Sequence, residues 1–239
     1  MNLEITRSID RKAWLIALHA KGTADSRLAE QMDEAERLLK KAARPKAVYR
    51  LVEMAAILPD GEGSDSAGKN NAKSLSIEKH LEGCNKAALI ALTLGVGVDQ
   101  LLRKMQVTDM AMAVIIDSGA SVLIEQLADD FEEAIEAQLA ASITEDKMPS
   151  GIFITPRFSP GYGDWPITEQ ARIIRMLDAQ RQIGLNVTKD SLMVPRKSIT
   201  AVIGISDHPV KGSLATCEQC VLKDKCELRK EGKYCGDKL

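Results

Sequence analysis

Arg157-Phe158-Ser159-Pro160-Gly161-Tyr162-Gly163-Asp164-Trp165-Pro166 is the segment around which this sequence organises itself. Two prolines and two glycines within seven residues hold the backbone extended and turning, so no regular element passes through it. Gly161 and Gly163 let another group approach the main chain closely. Arg157 carries a planar fork of donors matched to a carboxylate. Tyr162 adds a flat face and a hydroxyl. A zwitterion attached to an aromatic base would find partners for both ends here, while the plain alternative is a rigid surface loop with a structural Arg.

Outward from this loop the chain alternates between helical and extended patterns. Residues 10–43 read as two helices broken at Lys21-Gly22-Thr23, with Asp25 as cap of the second and Arg44-Pro45 as its end. Val48 to Leu58 reads as a strand. Residues 60–74 hold no large apolar side chain and read as a loop. Ala87 to Leu94 is a short apolar run that periodicity alone leaves open between buried strand and buried helix turn. Residues 99–105 and 109–141 read as helices, with Asp99 and Asp109 as caps. In the longer one Ile124, Leu127, Ala128, Phe131 and Ile135 form an apolar stripe. Beyond a short strand at Ile152–Ile154 and the Pro/Gly loop, a helix is expected from Thr168 to Gln182, ended by Gly184. Strands follow at Leu185–Val187, Ser191–Val194 and Ile199–Ile205. The expected fold is α+β, with helices packed on a mainly antiparallel, twisted sheet and a small C-terminal Cys-rich metal-binding tail. Its segments are 1–74, a 75–210 core and the 211–239 tail.

Composition bounds the function. The 239 residues are 45% hydrophobic and 28% charged, with a net charge of −2, so no strong field favours nucleic acid or an anionic membrane as partner. The N-terminus lacks a signal-peptide core, and no run is expected to approach the ~18 apolar residues of a membrane span. The expected location is the cytoplasm.

The cysteines are unevenly placed. Cys84 stands alone and reads as a core residue. Cys217, Cys220, Cys226 and Cys235 follow a Cys-x2-Cys-x5-Cys-x8-Cys spacing. Four thiolates complete a tetrahedral zinc site or a [4Fe–4S] cluster, and both stay open beside free or disulfide thiols. Between Cys217 and Leu239 the tail holds six Lys/Arg against five Asp/Glu, a balance that argues against a nucleic-acid-binding zinc module. Gly95-Val96-Gly97 stops short of a dinucleotide fingerprint and reads as a turn. His19 and His80 lack a metal-ligand partner at helical spacing and read as structural or surface residues.

Several blocks together resemble one family. Arg157-x-x-Pro160-Gly161-Tyr162, then Pro166 and an acidic helix start, is similar to the S-adenosylmethionine-binding stretch of the activation domain of cobalamin-dependent methionine synthase. Ile183 to Ser191, then Met193-Val194-Pro195 with Ser198 and Ala201, continue the likeness, and Leu127-Ala128-Asp129-Asp130-Phe131 resembles a family helix whose acidic residue contacts the ligand. The resemblance implies that Arg157 binds the ligand carboxylate. It further implies that the main chain at Ser159 and Gly161 hydrogen-bonds the ligand, that Tyr162 packs on it and that Asp129 takes its amino group. Helix geometry puts Asp129 about 140° from the centre of the apolar stripe, so a solvated face is the competing reading. The family's closing tyrosine pair has no counterpart, because Ser206-Asp207-His208-Pro209 leads straight into the cysteine tail, and residues 1–75 do not match the family's N-terminal Asp-containing segment.

The implied activity is presentation of S-adenosylmethionine to a cobalamin in its inactive cobalt(II) form. An electron yields cobalt(I), which takes the methyl group. No cobalamin-binding Asp-x-His-x-x-Gly motif occurs, so the corrinoid would come with a partner methyltransferase, and the electron from a donor or from a cluster in the tail. Two other classes remain open: a non-catalytic capping or interaction subunit of a corrinoid system, and an iron–sulfur electron-transfer module.

Overall fold

In the computed structural model, residues 1–20, 24–58, 74–141 and 151–212 are described. The cysteine tail, with Cys217, Cys220, Cys226 and Cys235, lies outside them, as do the Lys21-Gly22-Thr23 break and nearly all of the 60–74 loop.

Capping chemistry sets the first helices. Helix α1 (Arg11–Ala17) starts where the Asp10 carboxylate accepts from the amides of Lys12 and Ala13, and α2 (Ser26–Ala42) where Asp25 accepts from Leu28 at 2.8 Å. Strand β1 (Lys46–Glu53) follows Pro45 and ends earlier than expected, because Met54–Ala56 turn into a 3-10 helix. Helix α3 (Leu75–His80) leads into β2 (Lys86–Thr93). Helices α4 (Val96–Thr108) and α5 (Met110–Ala141) come next, the latter capped by Asp109 on the amide of Met112. Asp99 is no cap. It is buried in the first turn of α4 and accepts from the Arg196 amide at 3.0 Å, which pins the turn before the last strand.

The remaining elements are β3 (Phe153–Ile154), α6 (Glu169–Met176), α7 (Ala179–Ile183), β4 (Asn186–Val187), β5 (Met193–Val194) and β6 (Ser198–Ser206). The single helix expected over 168–182 is two helices, because Asp178 takes a left-handed conformation at φ +48°.

Four strands form one antiparallel sheet in the order β1-β2-β6-β3, and β4 and β5 form a separate hairpin. Tyr49 faces Ile90, and Ile90 faces Ala201, so the first segment of the chain contributes an edge strand to the same sheet as the rest. Both faces are covered. Ala88, Ile90, Leu92, Ala201 and Ile203 pack with Trp14, Met32, Leu39, Ile116 and Phe131 from the N-terminal helices and α5. Ala87, Leu89, Ala91 and Val202 pack with Ile77, Leu81, Phe158, Ile173 and Leu177 on the other side. Burial on both faces explains why β2 is an unbroken apolar run with no alternation to betray it as a strand.

Helix α5 is long and apolar enough to cross a membrane by length and composition, although its apolar run is interrupted. More than half of its most apolar window is buried within the fold, against the sheet and the N-terminal helices, as suits the core helix of a globular domain.

Candidate functional site

The Arg157 loop leaves the sheet at its β3 edge. Phe158 exchanges two backbone hydrogen bonds with Val202, both 2.9 Å, so the chain is still extended there. In extended backbone consecutive side chains point to opposite sides. Phe158 therefore enters the core shared with α3 and α6, and Arg157 turns towards α5.

On α5 it meets three carboxylates. Arg157 Nη1 lies 2.6 Å from Glu132 Oε1 and 2.9 Å from Asp129 Oδ1, and Nη2 lies 3.1 Å from Glu125 Oε2. Burial alone would lower the Arg157 pKa, but Glu132, Glu125 and Asp129 together raise it. Burial pushes the Glu125 carboxyl above its ordinary value, and the Asp129 charge adds to this while Arg157 opposes it. One positive and three negative side chains leave the cluster with a surplus of negative charge.

The loop closes on itself beyond Arg157. The Gly161 amide donates to the carbonyl of Trp165 at 2.8 Å, and the Tyr162 amide to that of Ser159 at 3.1 Å. The Gly161 N–H is thus engaged within the loop. Gly161 has φ +95° and Gly163 φ +55°, the region that favours glycine. Tyr162 is exposed, and its ring meets the edge of Phe158 at 5.9 Å. The buried Trp165 ring lies 6.0 Å from the same Phe158.

Of the residues singled out from sequence, Arg157 and Asp129 come into direct contact, and Ser159, Gly161 and Tyr162 sit on the same loop. Glu125 and Glu132 join them on Arg157, although no sequence motif singles them out. Their spacing with Asp129, at i, i+4 and i+7, places all three on one helix face and is the signal that marks the acidic stripe. His80 is fully buried and hydrogen-bonded to Thr155 and Pro156, so it is structural. His19 lies past the end of α1 at φ +53°, not within a helix. Cys84 is partly buried, and burial raises its thiol pKa. Among the described residues no group of three His, Cys, Asp or Glu side chains is placed to hold a metal ion.

A helix-covered antiparallel sheet with an Arg-bearing Pro-Gly-Tyr loop at its edge defines an α+β domain. A family model described as vitamin B12 dependent methionine synthase, activation domain, matches residues 62–224, more than half of the chain, and the chain belongs to that family. The matched span includes Cys217 and Cys220 and ends before Cys226 and Cys235. No curated protein matches the chain. Among solved structures, the crystal structure of the MetH reactivation domain bound to AdoHcy is similar over 98% of this chain and 86% of that chain, with a TM-score of 0.58 and 16% identity. At that identity the likeness is one of fold. It extends over the N-terminal helices and β1, which precede the family match.

Proposed function

We propose that the chain binds S-adenosylmethionine at the Arg157 loop and presents it for reductive methylation of a cobalamin held by a partner corrinoid methyltransferase, such as methionine synthase. The observation that carries this reading is the pairing of Arg157 with Asp129 across 2.9 Å. An amino-acid ligand can exchange with such a pair, its carboxylate taking the guanidinium and its ammonium the carboxylates set free. The surplus negative charge of the cluster favours a ligand of net positive charge such as this sulfonium. The AdoHcy in the similar reactivation-domain structure belongs to the same ligand class. The methyl-transfer chemistry resides in the cobalamin and the sulfonium, and this chain supplies binding and alignment.

Cys217, Cys220, Cys226 and Cys235 complete the proposal as ligands of a [4Fe–4S] cluster or of zinc in a cytoplasmic protein. A cluster would give the reductive step an electron relay. Metal analysis of anaerobically purified protein separates the two: iron with sulfide and a brown colour, or colourless protein with one zinc.

One observation favours a second reading, that of a capping subunit without ligand. Arg157 is already satisfied by three carboxylates. Isothermal titration of S-adenosylmethionine into the wild type and Arg157→Ala decides. Saturable binding that the substitution weakens at least tenfold supports methyl presentation, and no binding to the wild type selects the capping reading.

A further inference from the structure

The ligand loop is tied at both ends to one short helix, α3. At the Arg157 end, the buried His80 imidazole places Nε2 3.0 Å from Thr155 Oγ1 and 2.9 Å from the carbonyl of Pro156. A carbonyl only accepts, so this nitrogen donates to Pro156, the residue before Arg157. The same imidazole packs on Phe158 at 4.7 Å. At the Tyr162 end, the Asp164 carboxylate accepts from Ser74 Oγ at 2.5 Å and from the amides of Leu75 and Ser76 at 3.0 and 2.9 Å. Those amides belong to the first turn of α3 and have no partner within the helix. In return the Asp164 amide donates to Ser76 Oγ at 3.3 Å. Gly163 lies so close to Ser76 that a Cβ there would fall 2.3 Å from its Oγ.

We propose that Asp164 is a positioning residue for S-adenosylmethionine binding: by capping α3 from the loop, it holds the Tyr162 side of the loop in place while His80 holds the Arg157 side. The proposal rests on the reading of this loop as the S-adenosylmethionine site. A loop already ordered before the ligand arrives loses less entropy on binding. The hydrogen bonds to Ser74, Ser76 and Leu75 also hold the Asp164 carboxyl down at about 2, so the cap is charged at any ordinary assay pH. The chain has two tryptophans, and the other, Trp14, is fully buried in the opposite core. Acrylamide quenching therefore reports on Trp165 beside the clamp.

The test is titration of S-adenosylmethionine into the full chain as wild type, Asp164→Ala and Asp164→Asn, with quenching of tryptophan emission alongside. Asp164→Ala is expected to raise the Kd at least tenfold and to increase quenching. Asp164→Asn keeps an oxygen for the α3 amides and is expected to bind within threefold of wild type. A purely structural role would lower the melting temperature and leave the Kd unchanged, so wild-type affinity in Asp164→Ala overturns the proposal alone. A wild type that binds no S-adenosylmethionine, with quenching still rising in Asp164→Ala, overturns the reading of the site and this role with it. Should Asp164→Ala fail to fold, Ser76→Ala removes one bond from the helix side and is expected to weaken binding about threefold, with no change counting against the proposal.

Discussion

Arg157, on the loop beyond β3, and Asp129, on α5, form an ion pair of 2.9 Å between two separate elements, a loop at the sheet edge and a helix packed against the sheet. Asp129→Asn keeps the shape and removes the charge. The expected result is an S-adenosylmethionine affinity about tenfold weaker, equivalent to ~1.4 kcal/mol. Stability should hardly change, because the Asp129 side chain is 44% exposed and two other carboxylates stay on Arg157. An unchanged Kd by titration calorimetry would remove Asp129 from the site.

Glu132 and Glu125 should behave differently although both touch Arg157. The Glu132 side chain is 17% exposed and makes the shortest contact, 2.6 Å. Glu132→Gln is expected to cost about 1.5–3 kcal/mol, the range for a hydrogen bond to a charged group, and to lower the melting temperature by roughly 3–12 °C.

For Glu125 the sign reverses. Burial and Asp129 raise its carboxyl pKa in the folded state, so the folded chain holds the proton more tightly than the unfolded chain. Its contribution to stability is present below the ordinary value of 4.5 and is lost as pH rises through the raised one. Glu125→Gln should therefore melt no lower than wild type at pH 8, and its relative standing should be better at pH 8 than at pH 4. Thermal melts showing the opposite order would refute this.

Asp164 gives the complementary acid limb. Its folded pKa of about 2 lies below the ordinary 3.8, so its stabilisation is present above 3.8 and fades as pH falls towards 2. In urea unfolding, the advantage of wild type over Asp164→Asn should be smaller at pH 3 than at pH 5. An advantage independent of pH would assign the effect to shape rather than charge.

Gly119 tests the core. A Cβ at this position of α5 would sit 2.3 Å from Cζ2 and 2.5 Å from Cε2 of the fully buried Trp14, whose indole donates to the Ile115 carbonyl at 3.0 Å. Gly119→Ala is expected to cost about 2–3 kcal/mol as an overpacking change, with Trp14 emission shifted to longer wavelength. A melting temperature within 2 °C of wild type, about half a kcal/mol for a chain of this length, would show that α1 moves aside freely.

Local chemistry made much of this protein legible in its sequence. Asp25 and Asp109 cap helices by reaching amides three residues away, and the Pro/Gly loop at 157–166 is irregular because its own residues forbid anything else. The family likeness rests on that same loop. Position-to-position facts of this kind act over one turn of chain, so they can be read without the fold.

Tertiary structure alone decided the rest. The apolar run from Ala87 lies in the strand Lys86–Thr93 with helices over both sheet faces, and a run buried on both sides carries no period to read. Asp99 looked like a cap, but the turn at Arg196, 97 residues away in sequence, claims its carboxylate. Glu125, Asp129 and Glu132 share a helix face by spacing, yet only the exit of β3 beside α5 brings Arg157 to them. Asp164 lies 90 residues from Ser74, and the sheet closes that distance to a hydrogen bond. Residue chemistry set which groups were available and where the chain must bend; long-range packing chose their partners, because one buried charge or free amide can be satisfied by any segment that the fold delivers to it.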